Sequence, residues 1–312
     1  MRRGICLLLL IGLLCCLQCG GLDPLVLRPS ATIRRLPTEL GYSFEARTVP
    51  TPGGSQISLW HVFSSVQRKG IIVLVPGNDA NKGRYTTSLP IFVDNGWDMV
   101  LPDYAGFGES PGMATLEALF DSTYAAIDYA KSQSDVVIGY GVSLGTAVLA
   151  RVAVDRELTA CVFESTVVFH EAPSLVAKKL GIYTPLMDII DFFAAVGSPE
   201  GFDTKRWIQQ VREPKLFIHS PDDHVTPFDG AWEVFKLAPP PKHMFVTQGE
   251  HALQVFMDPN LYRSVVNGWL DGVLNQDPIE NELFRQILQE EINVAFEALG
   301  LTPPPLNSFG GF

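Results

Sequence analysis

Six short apolar runs, separated by helix-like or turn-rich stretches, constrain this chain more than any other feature. They are Gly70–Val75, Trp97–Leu101, Asp135–Gly139, Ala160–Phe163, Lys215–His219 and His243–Val246. Runs that are apolar on both faces and alternate with helices belong to a parallel sheet covered on both sides. The spacing predicts helices over Gly83–Val93, Leu116–Ala130, Leu144–Val154, Ala231–Leu237 and Tyr262–Leu274. Phe44–Phe63 reads as a leading hairpin around Thr51-Pro52-Gly53-Gly54. The expected fold class is therefore α/β, a mostly parallel central sheet with helices on both faces.

Residues 165–211 break that rhythm. They contain helix-like pieces (Pro173–Leu180 and Met187–Ala195) and no strand, so they are expected to form a small cap over the sheet's carboxyl edge. Glu280–Leu299 reads as one more amphipathic helix, followed by a Pro- and Gly-rich irregular tail. The expected organisation is a segment 1–21, a linker 22–43, one domain over 44–275 and a C-terminal helix with its tail over 276–312.

Segment 1–21 has the parts of an export signal: Arg2 and Arg3, the apolar stretch Ile5–Leu17, then Gln18-Cys19-Gly20-Gly21. The apolar stretch is shorter than the roughly 20 residues a membrane span needs. A cysteine after a leucine-rich run also resembles the bacterial lipoprotein signal, which makes Cys19 the candidate for lipid attachment, with Cys16 second. Gln18 stands where that signal prefers a small residue. The expectation is an exported chain, secreted or held in the cell envelope by an N-terminal lipid. Cys161 is the one cysteine in the body, so no intrachain disulfide holds the domain. A net charge of −11 gives no footprint for nucleic acid.

Gly141-Val142-Ser143-Leu144-Gly145 fits a G-x-S-x-G elbow between a buried strand and a helix. That setting holds a serine on a sharp turn, with its hydroxyl beyond the sheet and a helix N-terminus behind it. A serine hydroxyl is a weak nucleophile unless a base takes its proton. His251, in Gln248-Gly249-Glu250-His251 after one strand, is the candidate base, with His224 and His243 as rivals. Asp223, in Ser220-Pro221-Asp222-Asp223-His224 after another, is the candidate acid, ahead of Asp222 and Glu164. His61, His170 and His219 read as structural. The backbone amides of Leu144 and Asn78 are candidates for an oxyanion hole. Scattered histidines and the absence of an H-E-x-x-H spacing imply no metal, and no cofactor is expected.

Four blocks in this order (Pro76-Gly77-Asn78, Gly141–Gly145, His219–Asp223 and Gly249–His251) resemble the α/β-hydrolase superfamily. A fifth, Asp103-Tyr104-Ala105-Gly106-Phe107-Gly108-Glu109-Ser110, is similar to a D-Y-x-G-[FY]-G-x-S turn. It marks a subgroup with an H-G-N oxyanion loop that resembles acyl-protein thioesterases and serine aminopeptidases. The resemblance spans about residues 44–275 and implies an α/β-hydrolase fold with a Ser143–His251–Asp223 triad. The fifth block is expected to shape the site without reacting. Three positions depart from the subgroup: Pro76 where it has His, Asp79 beside the oxyanion loop, and Ser220 for Gly.

The expected activity is hydrolysis of carboxylic esters or thioesters on small-molecule or acyl-chain substrates. Apolar cap residues such as Leu175, Phe192 and Phe193 suit an acyl chain, and equally suit seating the cap. Peptidase activity, cofactor-free perhydrolase chemistry and a non-catalytic envelope protein with this fold are the alternatives.

Overall fold

The computed structural model describes residues 27–168 and 202–275. The export segment with Cys19, His170, both cap helices and the 280–299 helix with its tail lie outside the described residues.

Among the described residues the sheet has eight strands: β1 (Phe44–Pro50), β2 (Gln56–Val62), β3 (Gly70–Val75), β4 (Trp97–Pro102), β5 (Val137–Val142), β6 (Ala160–Glu164), β7 (Lys215–His219) and β8 (Lys242–Val246). Their spatial order is β1-β2-β4-β3-β5-β6-β7-β8. The hairpin β1–β2 and the β2–β4 pair are antiparallel; every pair from β4 through β8 is parallel. The chain passes from β3 to β4 on one side and then to β5 on the other, so the order reverses between β3 and β5. Such a switch point opens a crevice at the carboxyl ends of the strands.

Alternation along the strands builds two cores. Ile71, Val73 and Val75 face one side of the sheet, where they pack with the helices α1 (Leu116–Gln133), α2 (Leu144–Asp155) and α3 (Phe228–Leu237). Ile72 and Leu74 face the other, against Leu89–Val93 and the helix α4 (Pro259–Asn275), which contributes Tyr262, Val265, Val266, Trp269 and Leu270. Helices cover both faces, as the sequence pattern requires.

Two elements differ from expectation. Gly83–Val93 is not one helix. A 3-10 stretch (Lys82–Ser88) leads into a single α turn (Leu89–Phe92) and another 3-10 turn (Val93–Asn95). Pro90 sits in the first turn of the α segment, where its missing N–H costs nothing. The strand expected to end at Gly139 instead runs from Val137 to Val142. Its glycines are packing devices, not breakers. A Cβ at Gly139 would meet Leu149 at 2.6 Å, and one at Gly141 would meet the Gly145 carbonyl at 2.7 Å.

Candidate active site

The extra length of β5 delivers Ser143 directly from the sheet onto the first turn of α2. Ser143 has φ 53° and ψ −122°, a backbone state that L-residues rarely adopt. Its N–H donates to the Glu164 carbonyl at 2.9 Å, and its carbonyl accepts from Thr146 N–H at 2.8 Å. The strain is thus held from both sides. Gly145 is pressed against the end of β3, where a Cβ would lie 2.0 Å from the Val75 carbonyl oxygen.

Three side chains from three loops converge there. His251 Nε2 lies 2.8 Å from Ser143 Oγ, and His251 Nδ1 lies 2.8 Å from Asp223 Oδ2. With Nδ1 protonated and donating to the carboxylate, Nε2 accepts from the serine hydroxyl. Asp223 is buried, and its Oδ1 accepts from Val225 N–H (3.0 Å) and Thr226 N–H (2.8 Å). Burial pushes this carboxyl up. The hydrogen bond and charge of His251 pull it down, helped by His219 and the Thr226 amide, and the net pKa is about 2. Asp223 therefore stays ionised beside the imidazole.

The other candidate carboxylates and the other described histidines lie outside this cluster. Asp222 is exposed, and its Oδ2 accepts from Gly249 N–H at 3.4 Å. Glu164 is buried, and its Oε2 accepts from the Tyr140 (2.7 Å) and Tyr262 (2.9 Å) hydroxyls, which also touch each other. Burial raises its pKa, although the two hydroxyls oppose the rise. His224 is exposed on the acid loop. His243 accepts from Trp269 Nε1 at 3.0 Å, and burial lowers its pKa to about 4. His219 is buried; it accepts from Thr166 N–H (3.1 Å) and donates to the Thr226 carbonyl (2.8 Å). His61 sits between Asp98 (3.2 Å) and Tyr129 (3.0 Å).

The loop after β3 passes beside Ser143. A Cβ at Gly77 would lie 3.5 Å from the Ser143 Cβ, an ordinary contact distance, so this loop packs directly against the serine. Two tyrosines brace it. Gly77 N–H donates to the Tyr85 hydroxyl at 2.7 Å, and the Tyr104 hydroxyl donates to the Pro76 carbonyl at 2.9 Å. Asn78 Oδ1 accepts from Arg28 N–H, while Asp79 is exposed and 3.6 Å from the Arg84 guanidinium. Leu144 carries the first amide of α2, a helix position that has no intrahelical acceptor for its N–H.

Sequence reasoning missed several supporting residues. Thr226 Oγ1 lies 2.8 Å from Asp223 Oδ2 and 3.2 Å from His251 Nδ1. Ser165 and Gln254 meet behind the histidine loop. Lys82 is fully buried, with Nζ 2.6 Å from Asp103 Oδ2, 2.7 Å from Glu109 and 2.8 Å from Ser58 Oγ. Only the Asp223-x-x-Thr226 spacing, typical of a carboxylate bonding the backbone just ahead of it, carried a local signal. Among the described residues no cluster of three or more His, Cys, Asp or Glu side chains is arranged to hold a metal ion.

The sequence profile described as "Alpha/beta hydrolase family" matches residues 72–302. The uncharacterized protein YfhR of Escherichia coli O157:H7 is 26% identical over 249 residues, covering 75% of this chain and 83% of its own. A lysophosphatidylserine lipase of Macaca fascicularis is 26% identical over 193 residues, covering 58% and 48%. Among solved structures, an esterase of Pyrococcus furiosus superposes with a TM-score of 0.66 at 16% identity, covering 79% of this chain and 96% of its own.

Proposed function

Because the chain belongs to the alpha/beta hydrolase family, we propose that it is a serine hydrolase cleaving carboxylic esters or thioesters. Ser143 Oγ attacks the acyl carbonyl as His251 Nε2 takes the hydroxyl proton. Asp223 holds the Nδ1–H tautomer and stabilises the imidazolium. The Leu144 and Asn78 amides receive the developing oxyanion. His251 then passes its proton to the departing alcohol or thiol, leaving Ser143 acylated. Water, deprotonated by the same imidazole, releases the acid and restores the serine.

One observation carries this reading: a single imidazole lies 2.8 Å from a strained serine hydroxyl and 2.8 Å from a buried carboxylate. A general base has to stand within such reach of the proton it abstracts. The lipase among the relatives and the apolar residues expected in the cap favour an acyl ester over a peptide. Export, with a lipid on Cys19 as anchor, belongs to the same proposal, and mass spectrometry of the mature N-terminus tests it.

Fluorophosphonate labelling tests the chemistry. The intact chain is expected to label at Ser143, and Ser143→Ala to lose both the label and nitrophenyl-ester turnover, by several powers of ten. Label or turnover persisting in Ser143→Ala overturns the proposal.

A further inference from the structure

Among the described residues, three non-glycine positions have positive φ: Ser143 (53°), Ser165 (52°) and Ala252 (54°). A non-glycine residue at positive φ is strained and persists only where its surroundings over-determine it. All three meet at the carboxyl edge of the sheet. Ser143 N–H donates to the carbonyl of Glu164, the residue before Ser165. Ser165 Oγ is buried and accepts twice, from Ala252 N–H at 3.1 Å and from Gln254 Nε2 at 2.9 Å. Ser165 N–H donates to the Ile218 carbonyl at 2.9 Å, and the Ser165 carbonyl lies 3.4 Å from Thr226 Oγ1.

From this arrangement we infer that Ser165 is a positioning residue for His251, a role resting on the assignment of Ser143 and His251 as nucleophile and base. The reason lies in the order of strands. β6, which ends at Glu164, pairs with β5, which leads to Ser143, and with β7, which leads to Asp223. β8, which leads to His251, pairs with β7 and lies one strand further from the elbow. The Ala252–Ser165 bond spans that gap and ties the residue after His251 to the residue after β6. Gln254 does not replace it. Its Nε2 rests on the same Ser165 oxygen, and its buried Oε1 has no hydrogen-bond partner. Without the Ser165 hydroxyl, the imidazole is aimed by its own ring contacts and by a half-buried turn with Ala252 at φ 54°.

Ser165→Ala and Ser165→Gly test the inference together, since both remove the hydroxyl and glycine also relieves the positive φ. In each, kcat on a nitrophenyl ester and the fluorophosphonate labelling rate fall about 10- to 100-fold, the scale of a misplaced reacting group. KM stays within about twofold, as expected when an interaction acts on the chemical step and not on binding. The limb of the pH–rate profile that reports His251 is displaced in both variants, with rates normalised to titrated active sites. Loss of folded protein alone lowers amplitude and leaves that limb in place, and would overturn the inference. So would Ser165→Gly labelling and turning over like the unsubstituted chain. Failure of the underlying assignment looks different: the unsubstituted chain itself then fails to label at Ser143, and the inference falls with it.

Discussion

Asp103 and Asp223 are both buried carboxylates close to the carboxyl edge of the sheet, and each is hydrogen-bonded to one basic side chain. Asp103 meets Lys82, whose ammonium is also held by Ser58 and Glu109 and lies 5.2 Å from the centre of the Trp60 ring. The Asp103 oxygens further accept from Lys82 N–H and Glu109 N–H, both at 2.8 Å. Every donor there ends on an acceptor belonging to the turn or its neighbours, so nothing is left to move. Asp223 meets an imidazole whose second nitrogen faces a hydroxyl. An imidazole can take that proton on one nitrogen and later release it. Burial of a carboxylate is common to both regions. What separates the fixed knot from the reactive chain is that an ammonium only donates, so Lys82 cannot take the Ser58 proton, whereas the free imidazole nitrogen of His251 can accept from Ser143.

Substitutions can break that comparison. The largest expected effect is on chemistry. Asp223→Asn retains the shape but favours the wrong histidine tautomer, and kcat is expected to fall by roughly three to four powers of ten. Asp222→Asn, one position away, is expected to change kcat less than about threefold, since that carboxylate is exposed and its single weak contact is to a backbone amide. Steady-state kinetics on the pair decide between the two acids.

Next comes stability. Lys82→Met leaves Asp103 buried without its cation, and unfolding free energy is expected to drop by about 3–5 kcal/mol. Urea denaturation measures the loss. The folded remainder, counted by titration with a phosphonate, is expected to keep most of its turnover per site, which separates the knot from the chemistry.

The smallest effect is a pH dependence. Asp223 titrates at about 2 in the folded chain against an ordinary 3.8. A depressed carboxylate stabilises the fold above its unfolded pKa, and that stabilisation drains as pH falls from about 4 toward 2. The shift corresponds to roughly 2 kcal/mol. Urea midpoints measured from about pH 5 downward should show a shallower acid limb in Asp223→Asn.

Much of this was readable from residue order. Apolar runs too long for turns and too short for helices locate β3 through β8, because a strand buried on both faces has no polar side to show. Ser143, His251 and Asp223 stood out because each follows such a run. The supporting residues were hidden for a physical reason. Lys82 lies in Asn81-Lys82-Gly83, where any reader places it in solvent; only the fold brings Asp103 and Trp60 around it. Ser165 and Gln254 are 89 residues apart and meet across β7. The misplaced end of β5 has the same origin, since glycine reads as a breaker until the side chains of Leu149 and Leu158 are seen to occupy its missing methyl's place.

Gly145 fixes something that no loop can adjust. Its bare Cα lets the start of α2 rest on the last carbonyl of β3, so the elbow and the Pro76–Asn78 loop share one footing. In the proposed reaction, the attacking oxygen and the amides that would receive the anion are then spaced by direct backbone contact, as two jaws on one frame. Lids or caps above this frame can alter which molecules enter, while the bite itself keeps its width.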